Sequence, residues 1–274
     1  MRLKGKFRCV GASDTGQVRE HNEDTIGTDG DIGLVVLADG MGGYKAGEVA
    51  SGIAVRTVLT LIKERVDRED LTQRDEASGL SRSGILLRDA IQRANKVIYQ
   101  TAKTQANCEG MGTTVVAGLF FDDKLTIAHV GDSRMYRFRD GKLEQVTHDH
   151  SLLQELVARG FYTPEEAQRA SSKNYVTRAL GVEPTVEVEI SEVAARKDDL
   201  YLLCSDGLSD MVEDDDIQLT INTFGANLET LAKQLVLLSN DNGGRDNVSV
   251  VLVRVLDAFP AQRGVVDRLR RLFG

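Results

Sequence analysis

The period of the hydrophobic positions changes several times along the chain, and each change marks an element. Gly33 to Ala38 is an unbroken apolar run that stops at Asp39 and then at Gly40-Met41-Gly42-Gly43. Apolar residues without alternation predict a strand covered on both faces, here one that delivers a carboxylate into a turn. Ala46 to Val66 carries Val49, Ile53, Ala54, Val58, Leu61 and Ile62 at helical spacing, and Ser83 to Thr104 repeats the pattern with Ile85, Leu86, Ala90, Ile91, Ala94, Val97 and Ile98. Both predict amphipathic helices laid against a sheet, joined by a polar loop insertion from Val66 to Gly84. From Gly112 the period shortens. Thr113 to Phe121, Leu125 to Val130, Met135 to Phe138 and Leu143 to Val146 are β-rich runs separated by Asp122-Asp123 and Asp140-Gly141, the pattern of antiparallel hairpins. Further strands are predicted at Phe7 to Ser13, Val186 to Val193, Leu200 to Cys204 and Val248 to Val255. Further helices are predicted at Leu152 to Arg159, Asp214 to Phe224 and Leu228 to Ser239, with a capped helix start at Thr163-Pro164-Glu165-Glu166.

Composition narrows the class. The 274 residues, 41% hydrophobic and 28% charged, suffice for one large core, and with only 3 prolines no linker divides them. A formal net charge of −8 argues against nucleic acid as a partner, because phosphate backbones call for clustered Lys and Arg. Cys9, Cys108 and Cys204 lack the spacing of a zinc site or a disulfide framework, which suits a reducing cytoplasm. No apolar run is long enough to cross a bilayer, and the chain reads as soluble and unprocessed.

The chemistry lies where the apolar runs end. Asp39, Asp132 in Gly131-Asp132-Ser133-Arg134 and Asp206 in Ser205-Asp206-Gly207 each follow a strand, and Asp246 in Gly243-Gly244-Arg245-Asp246-Asn247 opens one. Taken singly, each has a plainer reading. Asp39 could cap the helix beginning near Lys45, Gly-Asp-Ser is good turn composition, and the hexad Arg19 to Asp24 could be a solvated loop. His148 and His150 invite a metal reading, yet histidines beside a helix start are more often caps or surface residues. Four repetitions of strand edge, carboxylate and small residue are harder to ascribe to turns. Carboxylates gathered in a poorly solvated cleft cannot all stay ionised without cations. An all-oxygen ligand set selects Mg²⁺ or Mn²⁺, and two such ions roughly 3.5–4 Å apart could share Asp39 and a bridging water. That water would attack phosphorus in line while Arg19 holds the phosphate oxygens. No nucleophilic Ser or Cys motif is present, and Gly40-Met41-Gly42-Gly43 lacks the Lys-Ser/Thr of a phosphate-binding loop.

Taken together and in order, Arg19 through Asp24, Asp39-Gly40-Met41-Gly42-Gly43, Gly112-Thr113-Thr114, Gly131-Asp132-Ser133-Arg134, Ser205-Asp206-Gly207 and Gly244-Arg245-Asp246-Asn247 resemble the metal-dependent protein phosphatase family, type 2C. The resemblance runs from about Phe7 to Val255 and is nearest to the compact bacterial members. It implies an α+β fold, a four-layer α-β-β-α sandwich of two antiparallel sheets flanked by helices, and hydrolysis of phosphoserine and phosphothreonine in proteins. By the same resemblance Asp39 would bridge two Mn²⁺ or Mg²⁺ ions, Gly40 would offer its carbonyl, and Asp206 and Asp246 would complete one shell. Asp132 would help bind a third ion, Glu23 and Asp24 would orient waters in the outer shell, and Arg19 would hold the substrate phosphate. The segment from about 150 to 179 would be a small helical flap beside the site. Many eukaryotic relatives place a histidine where this chain has Met41, so the general acid is open; methionine is usual among the bacterial ones.

The expected organisation is a catalytic domain over 1–256 and a basic amphipathic tail over 257–274, in which Val265, Val266, Leu269, Leu272 and Phe273 share a helical face opposite Arg268, Arg270 and Arg271. The tail either docks on its own domain or touches a partner or membrane surface. The function expected is a cytoplasmic phosphoprotein phosphatase opposing a bacterial Ser/Thr kinase. Two alternatives remain: a catalytically silent regulatory or binding module on the same fold, and a hydrolase of small phosphoesters.

Overall fold

The computed structural model describes residues 3–43, 45–163, 166 and 175–261. One antiparallel sheet has the order β1-β11-β10-β7-β8, comprising Phe7–Asp14, Val248–Val255, Leu200–Cys204, Arg134–Arg139 and Lys142–Gln145. The other runs β2-β3-β5-β6-β9, comprising Asp24–Asp29, Leu34–Met41, Val115–Phe121, Lys124–Val130 and Glu189–Ala194, with the two-residue β4 (Gly112–Thr113) paired to the exit of β3.

Strand side chains alternate between faces, so successive apolar residues supply different layers. Val35 and Leu37 of β3 meet Tyr201 and Leu203 of β10 and Val251 and Val253 of β11 in a core between the sheets. Leu34, Val36 and Ala38 face the other way, onto α1 (Ala46–Arg65) and α2 (Arg82–Thr104). Leu200, Leu202 and Cys204 likewise turn from the inner core. They meet α5 (Asp214–Phe224) and α6 (Leu228–Asp241) on the far side. The result is the four-layer sandwich expected, with Gly33 to Ala38 buried on both faces.

Several boundaries differ. The run from Thr113 to Phe121 is interrupted at Thr114, which separates β4 from β5. The strand expected from Val186 begins at Glu189, and a four-residue turn of helix, α4 (Asp206–Ser209), follows β10 directly. Strand β2 has no counterpart among the expected elements, because an edge strand whose residues are mostly half-buried and polar carries little hydrophobic signal. The flap opens with α3 (Leu152–Ala158). Thr163 Oγ1 accepts the Glu166 peptide N–H at 3.2 Å and the Glu166 carboxylate accepts that of Thr163 at 2.8 Å, the expected capping box. Of the expected tail, residues 262–274 lie outside the described residues, whereas Phe259 is buried in the inner core against Phe7 and Phe120.

The two ends of the flap are tied to each other, and the chain just past it is tied to β4 and α2. Ser151 bridges Val176, and the Thr177 N–H donates to the His150 carbonyl at 2.8 Å. Leu180 and Thr113 exchange backbone hydrogen bonds of 3.1 and 2.8 Å, and Gly181 donates to Asn95 Oδ1 of α2 at 2.7 Å.

Candidate metal centre

The carboxylates that end the apolar runs come from both sheets and meet at one edge of the sandwich. Asp39 lies near the end of β3 and Asp132 follows β6, both in one sheet; Asp206 follows β10 and Asp246 precedes β11, both in the other. Asp24 of β2 stands opposite Asp39 in the register. Asp39 and Asp24 are braced by hydroxyls and backbone groups. The Asp39 N–H donates to Thr114 Oγ1 at 3.0 Å, and its carbonyl accepts from the Thr114 N–H and Thr113 Oγ1, both at 2.8 Å. Ser205 Oγ donates to Asp24 Oδ2 at 2.8 Å while accepting the Ser249 N–H at 2.9 Å, so one hydroxyl ties the site across both sheets.

Gly40 follows Asp39 where the chain passes α1. Its N–H donates to the Glu23 carbonyl at 3.1 Å, and a Cβ there would sit inside the backbone of Gly47. Glycine is required by this close approach, which lets the β3 exit nest against the first turn of α1. Glu23 completes the corner, its Oε1 accepting the Gly47 N–H at 3.1 Å.

The electrostatics are those of a cation site. Burial, reinforced by the neighbouring carboxylates, pushes Asp39 and Asp206 well above the usual carboxylate range. Burial likewise raises Asp24, and it raises Asp132 to about 6, with Asp149 and Asp210 adding to the effect. Asp24 Oδ1 and Asp206 Oδ1 are buried without a hydrogen-bond partner. Buried acceptor oxygens without donors are costly, and a divalent ion resolves both the charge and the missing partners. The donor set is oxygen throughout, which fits Mn²⁺ or Mg²⁺.

Arg19 stands at the mouth, its side chain 53% exposed, with Nη2 donating to Asp246 Oδ2 at 2.6 Å. Asn247 carries the loop that presents it. Its Nδ2 donates to the carbonyls of Thr15 and His21, each at 2.9 Å, and its Oδ1 accepts the Glu23 N–H at 2.7 Å. The residues that the sequence singles out, Arg19, Glu23, Asp24, Asp39, Gly40, Asp132, Asp206 and Asp246, come together in one place. Sequence reasoning includes Asn247, Thr114 and Ser205 in the motifs but gives them no role of their own. Their signal is a buried polar side chain braced against the site, which a local pattern does not reveal.

Residues 13–246 match the family Protein phosphatase 2C. The serine/threonine phosphatase stp of Listeria welshimeri serovar 6b is 38% identical over 244 residues, which is 88% of this chain and 93% of that protein. The serine/threonine protein phosphatase PstP of Mycobacterium tuberculosis H37Rv is 38% identical over 254 residues, 92% of this chain but 45% of that longer protein. The crystal structure of M. tuberculosis PstP/Ppp superimposes with a TM-score of 0.80 at 38% identity, covering 91% of this chain and 99% of that one. A PstP catalytic domain in complex with 2 manganese ions gives 0.76 at 39% identity, covering 92% and 99%.

Proposed function

The chain belongs to the protein phosphatase 2C family, and from that premise we propose how its residues divide the work of phosphate ester hydrolysis. It is a serine/threonine phosphatase of the bacterial type, acting on phosphoproteins with Mn²⁺ or Mg²⁺. The observation that carries the assignment of residues is the convergence of Asp39, Asp132, Asp206 and Asp246 from two sheets around buried, unpartnered carboxylate oxygens. Asp39, the Gly40 carbonyl, Asp206 and Asp246 would hold two ions, and Asp132 would hold a third. When bound, the ions supply charge neutralisation and an activated water. Glu23 and Asp24 accept hydrogen bonds from waters beside them. Arg19 turns its guanidinium fork onto the phosphate oxygens and fixes the ester for in-line displacement. Met41 has no proton to give, so it is not the group that protonates the leaving alkoxide.

We extend the proposal to organisation and setting. The catalytic domain is residues 1–256, the flap helps to choose the substrate, and the basic tail from 257 docks on its own domain, where Phe259 is buried against Phe7 and Phe120, or touches a partner or membrane surface. The phosphoproteins are products of a Ser/Thr kinase. Cys9, Cys108 and Cys204 are all free thiols, and no helix among the described residues is long and apolar enough to cross a membrane; both suit the cytoplasm. The complete carboxylate set speaks against a silent binding module.

The test is hydrolysis of a phosphothreonine peptide with Mn²⁺ and with chelator. Asp39→Asn and Asp206→Asn should each lose at least about 10²-fold in kcat, and Arg19→Ala should raise KM while Mn²⁺ affinity stays near wild type. Equal turnover in all samples, chelated wild type included, would sink the assignment.

A further inference from the structure

Outside the carboxylate cluster, a group of titratable side chains lies at the root of the flap. His129, His150 and Glu189 offer ligating atoms within 4.8 Å of one another, and the two imidazoles stack with centroids 4.7 Å apart and planes at 17°. Two histidines and a carboxylate suggest a transition-metal site. The hydrogen bonds contradict that reading. The Gly131 peptide N–H donates to His150 Nδ1 at 3.1 Å, so Nδ1 carries the lone pair and Nε2 the proton. That proton faces Glu189 Oε2 at 3.2 Å, where an ion would have to sit, and Arg178 Nη1 lies 3.4 Å from the same nitrogen. His129 Nε2 is turned to the His148 carbonyl at 2.8 Å.

The group serves another purpose. The His150 peptide N–H donates to the Gly131 carbonyl at 2.9 Å while its ring accepts the Gly131 N–H, so one residue satisfies both peptide groups of Gly131. Gly131 needs this. Its φ of +109° takes it out of any strand, and a side chain there would strike Thr114. The next residue is Asp132. Beside it, Arg134 grips the Asp149 carboxylate through Nε at 3.0–3.1 Å and Nη2 at 2.8 Å, a second tie between the same two segments. The far end of the flap returns to the same point, since the Thr177 N–H donates to the His150 carbonyl.

We propose that His150, held by Glu189, is a positioning residue that sets the peptide ahead of Asp132 and thereby links flap placement to the ion site that Asp132 serves. The inference rests on Asp132 being an ion ligand, as argued above. Groups that orient a ligand without touching the ion tune affinity about 10–100-fold.

The experiment is Mn²⁺ titration of the metal-free protein by calorimetry, with bound ions counted by electron paramagnetic resonance. His150→Ala, His150→Asn, His150→Gln and Asp132→Asn are compared with wild type. The asparagine amide oxygen reaches the place of Nδ1 and can accept the Gly131 N–H; glutamine reaches the place of Nε2 and leaves that N–H unanswered. Alanine and glutamine should weaken the most weakly held Mn²⁺ by about tenfold, with asparagine within about threefold of wild type. Asp132→Asn should remove that ion from the count. Equal weakening in all three His150 variants means a general packing role and overturns the proposal. Wild-type affinity in His150→Ala, with Asp132→Asn impaired, overturns it while leaving Asp132 as a ligand. Unchanged binding in Asp132→Asn overturns both.

Discussion

The metal-free protein should be more stable when Asp132 is made neutral. Burial raises this carboxyl from 3.8 to about 6, with Asp149 and Asp210 adding to the rise. A raised carboxyl pKa means that the folded state holds the proton more tightly than the unfolded chain, so its contribution to stability falls as pH climbs from the unfolded value through the folded one. Above pH 6 the whole cost is present. At 1.36 kcal/mol per pH unit, the interval from 3.8 to about 6 corresponds to about 3 kcal/mol at pH 7.5, about 1.6 at pH 5 and about 0.6 at pH 4. Asp132→Asn keeps the shape and removes that cost. Thermal unfolding of both proteins in chelator should place the variant about 6–12 °C higher at pH 7.5, with the gap closing toward pH 4. Saturating Mn²⁺ should reverse the order, because wild type then gains binding energy that the variant lacks. A variant less stable than wild type in chelator at pH 7.5, by an amount independent of pH, would refute the claim that this carboxylate is held at a cost.

Two further substitutions test the frame around the ions. Asn247→Ala strands the carbonyls of Thr15 and His21 and the N–H of Glu23, and should cost about 1–3 kcal/mol in urea unfolding. By loosening the Arg19 loop it should also raise KM for a phosphopeptide about tenfold, more than it lowers kcat. Gly40→Ala drives a methyl group into the Gly47 backbone and should lower stability by about 3 kcal/mol or more, detected as a reduced melting temperature even in the presence of Mn²⁺.

Elements with a strong hydrophobic period are legible in the residues themselves. Leu34 to Ala38 is buried on both faces, as its unbroken apolar composition requires, and α1 and α2 begin and end within a residue or two of their expected limits. Strand β2 is invisible in the sequence because Asp24-Thr25-Ile26-Gly27-Thr28-Asp29 gives the inner core only Ile26, partly buried. The carboxylates are legible because each stands where an apolar run stops or starts, a local event. The residues that hold them are not. Asn247 reaches Thr15 across 232 positions, and Ser205 reaches Asp24 across 181. Such partners are fixed by how the sheets stack, which no window of sequence contains. His150 stands out by its chemistry, and its place beside a helix start suggests a cap or a surface residue, whereas it is buried against Gly131.

The five-stranded sheet has a bearing on how the protein can be made. Strand β11 lies between β1 and β10 and pairs Phe7 with Val255, so a strand at the sheet's interior is the last of its five to leave the ribosome. Until then β1 has no neighbour in its sheet and β10 keeps one side open. Contacts that span the chain form slowly, and open strand edges invite association with other nascent chains. Asp246 emerges only two residues ahead of β11, so the last carboxylate and the strand that closes the sheet arrive together. A chain that stops short of Asp246 therefore lacks both.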